Sequence, residues 1–300
     1  ESSWMQNWIH LLLTQRCSIH ESDIDGELGN IAEVGKVFQS GATDDRIVEF
    51  LDRLAKEKLE PFIGKSYQAL AENMNAYDQK MFMAREAIAD KGIWTAKKRY
   101  ILNVHDMEGV RYKEPQLKIM GIEAVKSSTP APCREKIKQA LKIIMSGDEK
   151  MLNKFIQEFR DEFMKLPPED IAYPRSCNGV QKFRGESQLF AKGAPIHVKG
   201  AILYNHLVNK QKLDNKYPLI QEGDKIRFLH LRQPNVYQSS AFSFMTEVPK
   251  ELDIVDKIDY DEQYTKSFVE PLKVITEKMN WLIDSSYGVQ GTLEGFFGGY

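Results

Sequence analysis

The hydrophobic period of this 300-residue chain switches from helical to alternating and back, and that switch does most to limit what the chain can fold into. Thr43 and Asp44 give an N-cap signal. After them Ile47, Phe50, Leu51 and Leu54, with Leu59 beyond, recur at helical spacing as far as Pro61, which predicts a helix over 44–60. Residues 62–75 read as a second helical segment with Tyr67, Leu70 and Met74 on one face. From Arg99 the period falls to two. Tyr100, Leu102 and Val104 alternate, Asp106-Met107-Glu108-Gly109 supplies a turn, and Val110 and Tyr112 resume the alternation of a β-hairpin.

Helical spacing then returns. Ser127-Ser128-Thr129-Pro130 caps a helix running to about 145, and Gly147-Asp148 opens another, with Met151, Leu152, Phe155, Phe159 and Phe163 as its buried stripe. Pro167-Pro168 stops it. Between 171 and 249, turns rich in Gly, Pro and Asn separate short β-like runs such as 226–231, and 262–284 reads as a last helix. Helix, hairpin, helices, mixed β and helix in that order imply an α+β fold.

Three cysteines, Cys17, Cys133 and Cys177, are an odd number without any C-x-x-C pair, so neither a disulfide framework nor a zinc site is expected. Residues 4–13 are apolar but too short to span a bilayer, and they lack the basic flank of a signal peptide. They read as an amphipathic helix seeking a protein partner rather than a membrane. A net charge of −2 argues against a nucleic-acid protein only until it is resolved by segment. Residues 85–142 carry 13 Lys/Arg against 7 Asp/Glu and residues 175–232 carry 11 against 4, leaving −15 for the remainder. Such segregation suits a chain that meets phosphates on one surface and stays soluble by the others.

The stretch 82–130 is the most specific part of the sequence. It contains Ala84-Arg85-Glu86-Ala87-Ile88-Ala89, Trp94-Thr95-Ala96-Lys97-Lys98-Arg99-Tyr100, Asp106-Met107-Glu108-Gly109, Leu117-Lys118-Ile119-Met120-Gly121-Ile122-Glu123 and Lys126-Ser127-Ser128-Thr129-Pro130. In order and spacing these five motifs resemble the end of the palm and the start of the thumb in T4-like phage DNA polymerases of family B. More weakly, the likeness continues through His197-Val198-Lys199-Gly200, Tyr204-Asn205 and Glu222-Gly223-Asp224-Lys225.

The resemblance implies roles for particular residues. A polymerase holds its primer end with cations toward phosphates and donors toward minor-groove acceptors common to all correct pairs. Lys97, Lys98, Arg99 and Tyr100 offer both, and on a strand Lys98 and Tyr100 are expected to share the DNA-facing side. Lys126 and Ser127 match the palm–thumb junction that meets primer backbone, and Lys199 and Lys225, with Lys182, Arg184, Arg227 and Arg232, are candidates for gripping duplex phosphates. Glu86 corresponds to an acidic residue beside the Mg²⁺ pair that activates the primer hydroxyl, and is the candidate catalytic residue. Ala84 departs from the pattern, standing where the family usually has aspartate.

The family's two aspartate motifs are missing. The one reading S-L-Y-P is absent, and Asp23-Ile24-Asp25 lies near the distance expected of the other but in a polar loop setting between His20 and Asn30, so it is set aside as a ligand. The exonuclease and fingers are absent too. The expected organisation is therefore a divergent segment over 1–42, with Trp4, Trp8 and Leu12 docking on a partner, the end of a palm over 43–125, a thumb over 126–287 and a tail over 288–300. Leu293, Phe296 and Phe297 in that tail resemble the sliding-clamp-binding peptide of phage polymerases. As a whole, the resemblance implies the C-terminal chain of a split replicative polymerase in the host bacterial cytoplasm. Its partners would be an N-terminal polymerase chain, primer–template DNA, dNTP and the clamp, with Mg²⁺ held mainly by the partner chain. The alternative is a DNA-binding or regulatory module without polymerase activity.

Overall fold

The computed structural model describes residues 43–185 and 189–283. The docking segment at 4–13, Asp25 and the tail residues Leu293, Phe296 and Phe297 lie outside them. Helices and two small antiparallel sheets make an α+β fold, as the periodicity implies. The chain divides into two compact units, one of Glu1–Trp94 with Tyr100–Lys118, the other of Thr95–Arg99 with Ile119–Tyr300.

The first unit opens with α1 (Asp44–Leu54), which passes through a wide π turn at Ala55–Leu59 into α2 (Glu60–Asn73). Pro61 therefore does not end the helix. A proline lacks the N–H that an α-helix needs, and it is tolerated here in the first turn of α2, where the π turn has already released the regular bonding pattern. Val48 and Leu51 pack with Ile88 to form one small core. On α2 only Ala71 is buried, while Leu70 and Met74 are 46% and 71% exposed, so the apolar face expected there is not covered.

A three-stranded sheet follows in the order β1 (Ala87–Ala96), β2 (Arg99–Met107) and β3 (Val110–Met120). The hairpin expected from alternation is β2–β3. Its turn places Glu108 and Gly109 at φ 51° and 87°, the left-handed pair that matches the twist of a two-residue hairpin. Strand β1 carries no clean alternation, Ala87-Ile88-Ala89 being followed by Asp90, Lys91 and Gly92, and it is a strand that the sequence pattern does not reveal. Ile101, Leu102, Val104, His105 and Asp106 are all buried on β2, so both faces of the central strand are covered.

In the second unit α3 (Ala131–Ser146) starts after Pro130, and α4 (Glu149–Phe163) starts at Asp148, whose carboxylate accepts from Met151 N at 2.8 Å. That bond satisfies one of the amides left open at a helix start. The buried stripe of α4 is Leu152, Ile156, Phe159 and Phe163, whereas Met151 is 56% exposed. Phe159 meets Phe268 edge-on at 4.7 Å and Tyr264 at 5.8 Å, and each such ring contributes about 1.5–3 kcal/mol by leaving water. Short α5 (Pro168–Ile171) leads to β4 (Tyr173–Ser176), then α6 (Ile196–Lys210), β5 (Lys225–His230) and β6 (Ala241–Phe244). Strand β5 lies between its antiparallel neighbours, Tyr173 opposite Phe228 and Phe228 opposite Ser243.

Helix α6 falls in the stretch where only turns and β runs are expected, and it packs on β6 at Gly200. A Cβ at Gly200 would stand 2.7 Å from Ser243 N and 2.9 Å from Phe242 C. The chain closes through α7 (Tyr260–Tyr264), a second π turn at Thr265–Val269 and α8 (Glu270–Thr276).

Candidate nucleic-acid interface

Lys97 and Lys98 form the turn between β1 and β2, and only Arg99 and Tyr100 belong to the strand. This corrects the expectation that all four residues sit on one strand and that Lys98 and Tyr100 share a face by alternation. Both lysines are exposed, and among the described residues neither has an ion-pair partner. Lys98 has φ 62°, an uncommon state for a residue with a Cβ.

The support for this tip comes from residues 119–126. Gly121 has φ +66°, and a Cβ there would collide with the Lys98 carbonyl and come within 3.1 Å of Arg99 Cγ. Glycine at this point lets the backbone run directly against the turn. Two residues on, Glu123 accepts from Arg99 Nη2 at 2.8 and 3.1 Å and from Lys126 Nζ at 2.8 Å. Gly121, Glu123 and Lys126 of one motif thus brace the Lys97-Lys98-Arg99 tip of another. Ser127 is exposed beside them.

Tyr100 is half-buried and packs against Ala89, Leu102 and Val104. Glu86 ends the loop before β1, its side chain 55% exposed and ion-paired with Lys118. The basic neighbour Arg85 does not pair with it. Its guanidinium, 4% exposed, bonds Asp52 at 2.6 Å and Asp106 at 2.8 Å, while its amide donates to Glu60 at 2.9 Å. Burial alone would raise the Asp52 carboxyl, but hydrogen bonds from Lys56 and Arg85 outweigh it and hold its pKa below the usual 3.8. Glu86 is accordingly the carboxylate of this group that remains largely open to solvent.

The second unit contains a cavity of about 470 Å³. Arg99, Lys126, Arg175 and Lys266 contribute cations to it, and Glu123 and Glu270 contribute carboxylates. Tyr173 and Phe228 stack at 5.1 Å and 21° along its wall, with Arg175 over the Tyr173 ring at 5.8 Å. Burial and the neighbouring Arg175 lower the pKa of His197, whose ring tilts against Phe228 at 6.2 Å. Lys199, half-buried on α6, and Lys225, exposed at the start of β5, do not line this cavity. Lys225 and Arg227 alternate outward with Ile226 and Phe228 inward, and Arg227 donates to the Glu169 carbonyl at 3.1 Å.

The sequence reading missed Arg175 and Lys266. Pro174 beside Arg175 masks the strand, because proline is rarely placed where a ladder bond is needed. Lys266 looks like one solvated charge on a helix. Among the described residues no group of three or more His, Cys, Asp or Glu is placed to hold a metal, and no helix is long and apolar enough to cross a membrane.

By fold, then, this is an α+β chain of two compact units with a braced cationic hairpin tip. By descent it is homologous to phage DNA polymerases. It is 31% identical over 315 residues to the DNA-directed DNA polymerase of Enterobacteria phage T4, covering 98% of this chain and 34% of that protein. It is 37% identical over 257 residues to the DNA-directed DNA polymerase of Escherichia phage RB69, covering 81% and 28% respectively. The chain therefore spans about a third of the length of these relatives. No family model matches it.

Proposed function

We propose that this chain is the C-terminal part of a replicative DNA-directed DNA polymerase, that it holds primer–template DNA, and that a separate N-terminal chain supplies the rest of the active site. The observation that carries the reading is the match of 98% and 81% of the chain to 34% and 28% of two polymerases, combined with an exposed Lys97-Lys98 turn that has no ion-pair partner among the described residues. Lys97, Lys98, Lys126 and Ser127 would face DNA, and Lys199 and Lys225 would meet the duplex farther along. Arg99 has its carboxylate already. Exchanging that partly exposed pair for a phosphate costs little, since such pairs contribute roughly 0–1 kcal/mol. Tyr100 would present its hydroxyl from a ring anchored in the sheet.

Two Mg²⁺ ions would supply Lewis acidity at the primer end and the incoming dNTP. The described residues do not fit them: Arg85 engages Asp52 and Asp106, and Glu86, though largely exposed, is paired with Lys118. The ions would depend mainly on carboxylates of the N-terminal chain, with Glu86 at the edge of the site. This chain's own task is to orient the primer end. Leu293, Phe296 and Phe297 would fill a pocket of the sliding clamp, and the assembly would work in the host bacterial cytoplasm.

The test is primer extension by this chain alone, by an N-terminal polymerase chain bearing the exonuclease and the catalytic aspartates, and by the mixture. Synthesis in the mixture alone is expected. DNA binding by this chain without extension in any mixture would instead identify a binding module that has lost polymerase function.

A further inference from the structure

We propose that the cavity in the second unit is a seat for one phosphate group, centred on Arg175, and that the group is a phosphodiester of the bound DNA strand; this rests on the DNA-holding reading above. The four cations of the cavity are not equivalent. Glu123 engages both Arg99 and Lys126, and Glu270 engages Lys266 at 2.7 Å. Arg175 has no carboxylate partner among the described residues. Its Nη1 donates to the carbonyls of Ser128 and Pro174, each at 3.0 Å, and its Cζ stands over the ring of Tyr173 at 5.8 Å from the centroid.

Among the described residues the Nε–Nη2 edge has no acceptor, and that edge is the one whose two parallel N–H groups match a pair of phosphate oxygens. The two carbonyl bonds to Nη1 tether the guanidinium, so little freedom is lost on binding. Arg99 also lines the cavity, but its Nε is buried without a partner and its Nη2 is held by Glu123. Ser128 and Thr129 complete the polar lining just ahead of α3. Four cations against two carboxylates leave the wall positive. At about 470 Å³ the cavity admits a phosphate with parts of its flanking sugars, which suits a diester better than a lone ion.

The experiment measures binding of a primer–template duplex to the full wild-type chain and to Arg175→Gln and Arg175→Lys, by fluorescence anisotropy from 50 to 200 mM salt. Arg175→Gln should weaken binding about tenfold at the low end and reduce the salt slope by about one. Arg175→Lys should restore the slope but not the full affinity, a point charge lacking the paired donors. Duplexes with a single neutral methylphosphonate linkage, moved along the primer strand, locate the group. One position should weaken the wild type about tenfold and leave Arg175→Gln unchanged. Wild type that ignores duplex DNA overturns both the DNA-holding reading and this one. Wild type that binds, with the Arg175→Gln curve superimposed on it or with no linkage sensed differently, overturns the phosphate seat alone. Inorganic pyrophosphate that binds in an Arg175-dependent way without competing with duplex makes the seat one for free phosphates and rejects the diester.

Discussion

Replacing Arg85 with alanine should destabilise the first unit far more than a surface ion pair would suggest. The guanidinium is 4% exposed and the Asp106 side chain 8%, so the pair is shielded from water. Without Arg85, Asp106 Oδ1 keeps a single protein donor, the Gly109 amide at 3.0 Å, and a buried carboxylate loses its counter-charge. Asp52 suffers less, being 26% exposed and bonded to Lys56 at 2.8 Å. Breaking one side of a buried pair costs about 3–5 kcal/mol. The double variant Arg85→Met, Asp106→Leu removes both charges and should regain most of that loss, all the more because Arg85 Nη1 is buried without a partner in the native pair. Hydrogen exchange is the assay, since it reports each unit separately. Amides of β2 and α1 should exchange about a hundredfold to several thousandfold faster in Arg85→Ala, while α4 in the other unit should keep its protection. A loss below about 1 kcal/mol, or equal loss in both units, would refute the argument that burial makes this pair costly to break.

Gly121→Ala should lower duplex affinity severalfold while Lys97 and Lys98 remain in place, because the new methyl displaces the turn that presents them; unchanged affinity in binding titrations would reject the bracing role. Gly200→Ala should lower stability by about 1–3 kcal/mol in urea unfolding, since its Cβ meets backbone of β6 rather than a side chain that can move. Burial pushes the Cys133 thiol up to about 12, and burial with Glu222 and Asp224 pushes Cys177 to about 11, so native-state alkylation at pH 8 should spare both until denaturant is added. Asp52, held below 3.8 when folded, adds stability that is full above that value and lost as the pH falls through the folded pKa. Acid unfolding of Asp52→Asn below pH 3.8 should accordingly be shallower than that of wild type.

Elements with a clean period were legible. Helix α1, hairpin β2–β3 and α4 stand close to where the spacing of Ile47, Leu102 and Phe159 places them. What escaped the sequence was mostly tertiary. Strand β1 carries polar residues and glycine at positions that only the sheet explains, and α6 holds Gly200 because Ser243 lies against it. Met151 occupies a stripe position by arithmetic, yet Ile156 is the buried residue, since which face is covered depends on the neighbouring helix. Within the candidate interface, alternation gave the wrong geometry for Lys98, which stands in the turn and not on the strand. Positive φ at a lysine depends on what Gly121 allows from a distance of twenty-odd residues. Arg175, which gains meaning only from the carbonyls it touches, has no signature in the chain.

The π turns have a bearing on register. Counting ~100° per residue from Val48, an unbroken α-helix would carry Ala71 to about 140° round the axis, away from the line of Val48 and Leu51. A π turn takes in roughly one residue more than an α turn for the same rotation, which brings Ala71 back to about 40°. The widened loop upstream of Pro61 thus acts as a phase corrector, letting a long rod keep one side inward past a residue that would otherwise break it. Shortening 55–59 by a single residue would regularise the rod and leave Ala71 on the same side, whereas regularising it at full length would turn the second half outward.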